Sequence, residues 1–266
     1  MSELNIDNRI NYQVKAGIAF VKLNRSEKHN AIDMPMFIAI DKVIRQIKKD
    51  HKVRVVIVSG EGESFCSGLD VKSVLTNKKL AFKLLWKWWP RQANLAQQIC
   101  VGWRKLKVPV IMVLHGKCWG GGMQIALGGD FRIAQKDASL AIMEARWGLI
   151  PDMGGTLAMR ENLSVDHAMK LAMTAEPVSA SEALEINLIT EVANNPMNSA
   201  LLLAEKLKHR SPDTNEKIKR FYHQTWCPNA SKILAGETIN QLKVLFGKNQ
   251  RIAVKRQLGN KDVNYK

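Results

Sequence analysis

Three consecutive glycines, Gly120, Gly121 and Gly122, stand between an apolar run at residues 108–114 and a second apolar stretch at 123–127. The first run suits a buried strand and the second the start of a helix. Glycines at that junction let a ligand approach the backbone without meeting a Cβ atom, and the helix behind them offers unpaired N–H groups and the positive end of its dipole. A phosphate or a developing oxyanion suits such a site. No Gly-Lys-Ser/Thr closes the run, as a phosphate loop requires, and the spacing is not the G-x-G-x-x-G of a dinucleotide fold. A packing contact between strand and helix accounts for the glycines equally well, so a second site has to decide. Residues 59–72 offer one: a loop with Gly60, Gly62 and Gly68 that follows a β-branched run at 53–58 and enters a helix.

Those loops need elements to position them. Residues 10–14 and 17–23 read as short strands, 24–33 as a polar loop, and 34–49 as a helix whose Met36, Phe37, Ile40, Val43, Ile44 and Ile47 share one face. With a strand at 53–58 this is a crossover unit, so a parallel sheet follows, and both glycine loops open on its carboxyl edge, where α/β folds bind ligands. Residues 76–105 read as mainly helical, interrupted by Pro90, and carry Trp86, Trp88, Trp89 and Trp103. They serve either as a lid over an apolar ligand tail or as a partner or core face. Strands are expected at 131–134 and 139–142. Beyond Thr156 the pattern is helical, at 157–161, 166–174, 179–186, 199–208, 213–225, 231–246 and 251–258, with one brief strand at 188–192. Ser179 and Glu182 have the spacing of a capping box. The expected division is an α/β core at 1–195 and a helical region at 196–266.

The 266 residues suffice for a full core, and an apolar share of 46% is that of an ordinary globular protein. No apolar run approaches the roughly 20 residues that span a bilayer, and residues 1–7 lack the basic and apolar regions of a secretory signal. A cytoplasmic protein is the expectation. Cys66, Cys100, Cys118 and Cys227 form no C-x-x-C pair and have no histidine at ligand spacing, so buried thiols and no metal are expected. The net charge of +16 is uneven: residues 71–129 hold 10 Lys/Arg and no acid, and residues 200–266 hold 14 against 5. Such fields favour a phosphorylated small molecule, nucleic acid or an anionic surface, although a solvated basic face needs no partner.

Taken together, the stretches resemble the crotonase superfamily, the enoyl-CoA hydratase/isomerase family. Leu23, Asn24, Arg25, Lys28, Asn30 and Ala31 resemble its N-terminal CoA loop; Phe65-Cys66-Ser67-Gly68-Leu69-Asp70 resembles its first oxyanion motif; Gly120 through Ala126 resembles the second; and Glu144 through Thr156 resembles its catalytic acid and following glycine turn. The resemblance implies an α/β fold of the ClpP/crotonase type, a superhelix of repeated β-β-α units with a C-terminal helical trimerisation region. It implies that the N–H groups of Leu69 and Gly121 hold a thioester oxygen while an enolate forms. Lys28, Ala31, Cys66, Asp70, Val71 and Lys72 fall at CoA-binding positions. No cofactor is implied beyond the CoA that the substrate carries, and the partner implied is an acyl-CoA thioester, with assembly as a homotrimer or a hexamer of paired trimers.

The family's hydratases split water with two glutamates. Glu144 matches the second, but Gln124 stands where the first is expected, and an amide is neither a general base nor a proton reservoir. Double-bond isomerisation through Glu144 is therefore placed ahead of hydration, with enoyl-CoA hydration the alternative. Ile142, Met143 and Trp147 give Glu144 apolar neighbours that would raise its pKa; an ion pair with Arg146 or a nearby lysine is the competing role. Asp152 matches an additional acid of the dienoyl-CoA isomerases, and a turn-forming aspartate after Pro151 explains it equally well. From another class, RNA binding is permitted by the charge and is the lesser expectation, as is a catalytically inactive CoA-ester binder.

Overall fold

The computed structural model describes residues 4–71, 73, 84–87, 89, 92–226 and 230–259. Strands β1 (Leu4–Ile6), β2 (Ile10–Lys15) and β3 (Ile18–Leu23) form an antiparallel meander. Helix α1 (Met34–Lys49) then crosses to β4 (Val55–Gly60), which lies parallel to β3. Asp33 caps α1, its carboxylate accepting from Met36 N at 2.9 Å, so the helix starts where the apolar period starts.

After α2 (Leu95–Arg104) come β5 (Val110–Leu114), β6 (Lys117–Trp119), α3 (Gly121–Ala126), β7 (Phe131–Gln135) and β8 (Ser139–Ala141). The chain continues through α4 (Gly155–Asn162), α5 (Val165–Thr174), β9 (Val178–Ser179), α6 (Ala180–Glu185), β10 (Glu191–Ala193), α7 (Pro196–Lys208), α8 (Pro212–Thr225), α9 (Ala230–Leu245) and α10 (Lys248–Gln257). The larger sheet has the order β1-β2-β3-β4-β5-β7-β10, parallel from β3 onward; β6, β8 and β9 form a smaller second sheet.

The strand period of two sorts the core. Val56, Val58, Val110, Met112 and Leu114 face the side covered by α1, whereas Val55, Ile57, Ile111 and Val113 face Ala200 and Ala204 of α7. This burial on both faces is what the unbroken β-branched run calls for. The first helix of the 196–266 region is thus packed on the sheet. Farther along, Lys219 and His223 of α8 bind Asp130 at 2.8 and 3.0 Å, and Arg104 binds Glu161 at 2.6 Å, so part of the basic charge is spent inside the molecule.

Some expectations shift. β1 and β6 are strands of three residues each, too short to give a period, and Glu144–Trp147 is a single 3-10 turn. The strand expected at 188–192 lies at Glu191–Ala193, because Leu188 and Ile189 turn into the core before the pairing with β7 begins. Of the helical reading at 76–105, the described residues form helix only over α2, started by the Asn94/Gln97 capping box, apart from one turn at 84–85; Trp88 and residues 74–83 lie outside the described residues. Trp103 is fully buried core, while Trp86 and Trp89 are exposed.

Close approach explains one of the glycines. A Cβ on Gly122 would run into the Cys66 carbonyl oxygen and come within 2.7 Å of the Cys66 Cβ. Gly122→Ala is expected to destabilise the protein by about 1–3 kcal/mol, as overpacking against backbone does, with urea denaturation as the measurement; a midpoint equal to that of the unsubstituted protein would contradict this packing.

Candidate active site

Parallel β3, β4 and β5 end on the same edge of the sheet, and the loops that leave them are tied to one another. Asn30, fully buried, gives its amide hydrogens to the carbonyls of Glu61 and Ser64 at 2.9 and 2.8 Å and accepts from Arg25 N at 2.8 Å. Arg25 reaches Asp70 at 2.9 Å, and Ile32 bridges to Leu69. The second and third loops pair as strands would: Cys66 N donates to the Lys117 carbonyl and Trp119 N to the Cys66 carbonyl, each at 3.0 Å. Gly120 N donates to the Ala141 carbonyl at 2.8 Å, which brings the end of β8 and the turn bearing Glu144 alongside.

A cavity of about 400 Å³ opens between these loops, lined by Gly68, Leu69, Gly121, Glu144 and Asp152 together with apolar Phe37, Leu84, Trp147 and Leu245. The two loops meet at Gly68, where an added Cβ would lie 3.4 Å from Gly121 N. Among the described residues neither Leu69 N nor Gly121 N has an acceptor. Two unspent backbone donors therefore border one apolar-walled cavity, an arrangement suited to an oxygen that gains charge.

Glu144 and Gln124 are in direct contact. Gln124, fully buried on α3, donates from Nε2 to Glu144 Oε1 at 2.5 Å, and its own Oε1 accepts from Met153 N at 2.9 Å and Gly155 N at 3.3 Å. Because two N–H groups claim the amide oxygen, the NH2 side must face the carboxylate. Glu144 Oε2 is buried and has no hydrogen-bond partner among the described residues. Burial raises the Glu144 carboxyl above 4.5, against a smaller lowering by the Gln124 hydrogen bond. Arg146 turns away and donates to the Ala175 carbonyl at 2.9 Å, so the alternative ion pair with Glu144 is not formed.

Asp152 lines the same cavity. Burial, and then the nearby Glu144 and Glu237 carboxylates, push it from 3.8 to about 8. Glu237 was missed by sequence reading. It is buried on α9, and its Oε2 accepts from Gly154 N at 3.0 Å and Gln97 Nε2 at 3.1 Å. Gln241, one turn on, accepts from Ile150 N at 3.1 Å. The available signal was two polar residues at the helical spacing of buried Leu234.

Residues 13–256 match the family model for enoyl-CoA hydratase/isomerase. The chain belongs to that family. It is 30% identical over 215 residues to the (E)-benzylidenesuccinyl-CoA hydratase of Thauera aromatica, covering 79% of this chain and 80% of that protein. It is 28% identical over 202 residues to the peroxisomal Delta(3,5)-Delta(2,4)-dienoyl-CoA isomerase of Arabidopsis thaliana, covering 71% of each. The crystal structure of an enoyl-CoA hydratase/isomerase from Mycobacterium paratuberculosis superposes with a TM-score of 0.83 at 20% identity, over 94% of this chain and 98% of that one. The expected crotonase-type α/β fold is thus the fold observed.

In this member of the enoyl-CoA hydratase/isomerase family the candidate CoA positions are unequal. Lys28 is exposed at the end of a short turn, and Val71 lines the cavity. Ala31 donates to the Lys28 carbonyl and accepts from Arg25, and the Asp70 carboxylate is held by Arg25 and by Ser73 N. Cys66 is fully buried, its backbone is used in the loop pairing, its thiol donates to the Asn30 carbonyl at 3.1 Å, and burial pushes that thiol up to about 12. Cys66 thus has its N–H, carbonyl and thiol each engaged in holding the loops together. Lys72 lies outside the described residues. Among the described residues no helix is long and apolar enough to cross a membrane.

The raised Asp152 has a consequence for stability. Between 3.8 and about 8 the unfolded chain has released this proton and the folded protein retains it, so Asp152 subtracts from stability progressively as pH rises through that window. Asp152→Asn is expected to gain on the unsubstituted protein by up to about 1.4 kcal/mol per pH unit across the window. Denaturation midpoints at several pH values check this; a difference independent of pH would refute it.

Proposed function

We propose that this acyl-CoA enzyme of the enoyl-CoA hydratase/isomerase family moves a carbon–carbon double bond by proton transfer through a thioester enolate. The observation that carries the reading is the fixed orientation of Gln124, which presents an NH2 donor to Glu144 and leaves a single carboxylate in contact with it. The thioester oxygen lies between the N–H groups of Leu69 and Gly121. Glu144 takes a proton from the α-carbon of a β,γ-unsaturated thioester; the C–H electron pair passes into a dienolate, and the negative charge settles on the thioester oxygen. The same carboxyl returns the proton at the γ-carbon, the carbonyl re-forms, and an α,β-unsaturated thioester leaves. Each fixed donor is worth on the order of 3–4 kcal/mol, because it gains strength only as charge develops. The raised Glu144 pKa makes its carboxylate a stronger base for the first transfer.

Asp152 supports a second reading, isomerisation of a conjugated dienoyl thioester. It lines the same cavity and remains protonated up to about pH 8, so it can supply a proton while Glu144 accepts one at a distant carbon. The substrate partner is an acyl-CoA thioester in either case. Exposed Ile218, Tyr222 and Trp226, four residues apart along α8 and just past its end, support self-assembly through the tail, as a trimer or a hexamer of paired trimers.

Incubation with β,γ-unsaturated and α,β-unsaturated acyl-CoA esters, following conjugated-thioester absorbance and product mass, tests the reading. Conjugation at constant mass is expected from the first, and addition of water to the second would establish hydration instead. Glu144→Gln is expected to lower turnover by about 10²–10⁴-fold while acyl-CoA binding by calorimetry persists; full activity would remove Glu144 from the mechanism. Gln124→Glu would keep one oxygen on Met153 and Gly155 N and turn the other toward Glu144, where the two carboxyls must share a proton. This variant is expected to gain water addition, seen in product mass. A correctly folded variant that still adds no water would mean that Gln124 is not what withholds hydration.

A further inference from the structure

The glycine turn after Asp152 presents three successive N–H groups to two different side chains. Met153 N and Gly155 N donate to Gln124, whereas Gly154 N, between them, donates to Glu237 at 3.0 Å. Glu237 is itself anchored. Gln97 accepts from Asn94 N at 3.2 Å through Oε1, so its NH2 must face outward, and it donates to the Leu234 carbonyl at 3.0 Å and to Glu237 at 3.1 Å. One turn along α9, Gln241 takes Ile150 N. Two buried side chains of one helix thus hold the backbone on both sides of Asp152. Gly154 adopts φ 91° and an added Cβ would meet Val101 at 2.7 Å, so the turn has little steric freedom besides.

We infer that Glu237 is a positioning residue for the Glu144 proton transfer, acting through the chain of hydrogen bonds from Gly154 to Gln124 to Glu144. A buried carboxylate costs desolvation, and among the described residues Glu237 Oε1 has no hydrogen-bond partner, with the Thr156 side chain as a further polar neighbour of the carboxyl, so core stability alone is a poor reason for it. Its use is geometric. Held from the α9 side, the middle N–H fixes the plane of the turn; its two neighbours then point at Gln124 Oε1, and the amide cannot turn its oxygen toward Glu144. Without Glu237 the Gly154 N–H is orphaned, the turn relaxes, and Glu144 loses its aim and the donor that favours its ionised form. Among the described residues the other titratable groups near Glu237 are Asp152, the Cys100 thiol and Lys87, whose Nζ donates to the Leu234 carbonyl at 2.9 Å.

The inference rests on the proton-shuttle reading for its rate readout alone. Glu237→Ala is expected to lower kcat between about ten- and a hundredfold with KM nearly unchanged, as small misplacement of a catalytic group does, and to move the Glu144 titration, followed by carboxyl NMR in substrate-free protein, to higher pH. Glu237→Gln keeps an oxygen for Gly154 and Gln97 and is expected to restore kcat and the titration. Should the alanine variant fail to fold, hydrogen exchange in the unaltered protein still tests the contact: Gly154 N–H must be protected as strongly as Met153 and Gly155. Rapid exchange at Gly154, an unmoved Glu144 titration in the alanine variant, or equal losses in both variants would each overturn the inference. Failure of the shuttle reading is distinguishable, because it appears as turnover surviving Glu144→Gln and leaves the titration and exchange results standing.

Discussion

The site depends on one constraint: the loop after β4 and the loop after β5 must lie against each other as paired backbone, beyond the edge of the sheet. A backbone β-bridge between Cys66 and Cys118, both free thiols, provides that pairing, with Phe65 N on the His115 carbonyl and Trp119 N on the Cys66 carbonyl. Backbone at such separation leaves no room for a side chain where α3 begins, hence Gly122 against Cys66. Once the loops are joined, Leu69 N and Gly121 N border the same cavity as a consequence of register. Their neighbours bond elsewhere: the Gly68 carbonyl and Asp70 N pair with Ile32, and Gly120 N with the Ala141 carbonyl, so among the described residues the N–H groups of Leu69 and Gly121 stay unspent between them. Asn30 performs the corresponding service for the first loop, spending its side-chain amide on three backbone groups and thereby fixing where Lys28 and Ala31 can stand.

Much of this was legible in the sequence wherever the determining contacts are local. The helix at Met34–Lys49 is legible with both its ends in the apolar period of 3.6, and the contacts that start it, the Asp33 cap and Pro35 in the first turn, act within a few residues. The buried parallel strands were visible in their β-branched runs, and the two glycine loops in their composition. Local signals do not fix partners across the fold. β6 is three residues long and exists because β8 and the loop after β4 lie beside it. The resemblance singled out Glu144 and Gln124, yet their contact, and the direction of the amide, depend on Met153 and Gly155, some 29 and 31 residues beyond Gln124. Glu237 was out of reach, since its meaning comes from Gly154 and Gln97, separated from it by 83 and 140 residues.

Charge was legible only in bulk. The excess of Lys and Arg at 71–129 and 200–266 pointed to an anionic partner or a solvated basic face, but Lys219 is buried against Asp130, and Lys87 is half-buried against α9. Counting charges cannot tell a cation that neutralises a buried acid from one that meets solvent. The same limit applies to the acids: Glu237 is remote in sequence from Glu144 and Asp152, and burial raises all three.

That cluster gives a physical reason for an amide at position 124. A carboxylate there would set an oxygen about as close to Glu144 as the present 2.5 Å contact, in a region already holding two more acids with raised pKa values. Like charges near 4 Å repel by about 4 kcal/mol even at an effective dielectric of 20, so such a pair would hold a proton between them. The amide provides the same bulk and satisfies the same two N–H groups of the glycine turn, and it adds a donor that favours ionised Glu144 where a second acid would oppose it. Gln124 thus leaves Glu144 as a single carboxylate with a fixed donor beside it, where a glutamate at the same position would leave two carboxyls sharing one proton.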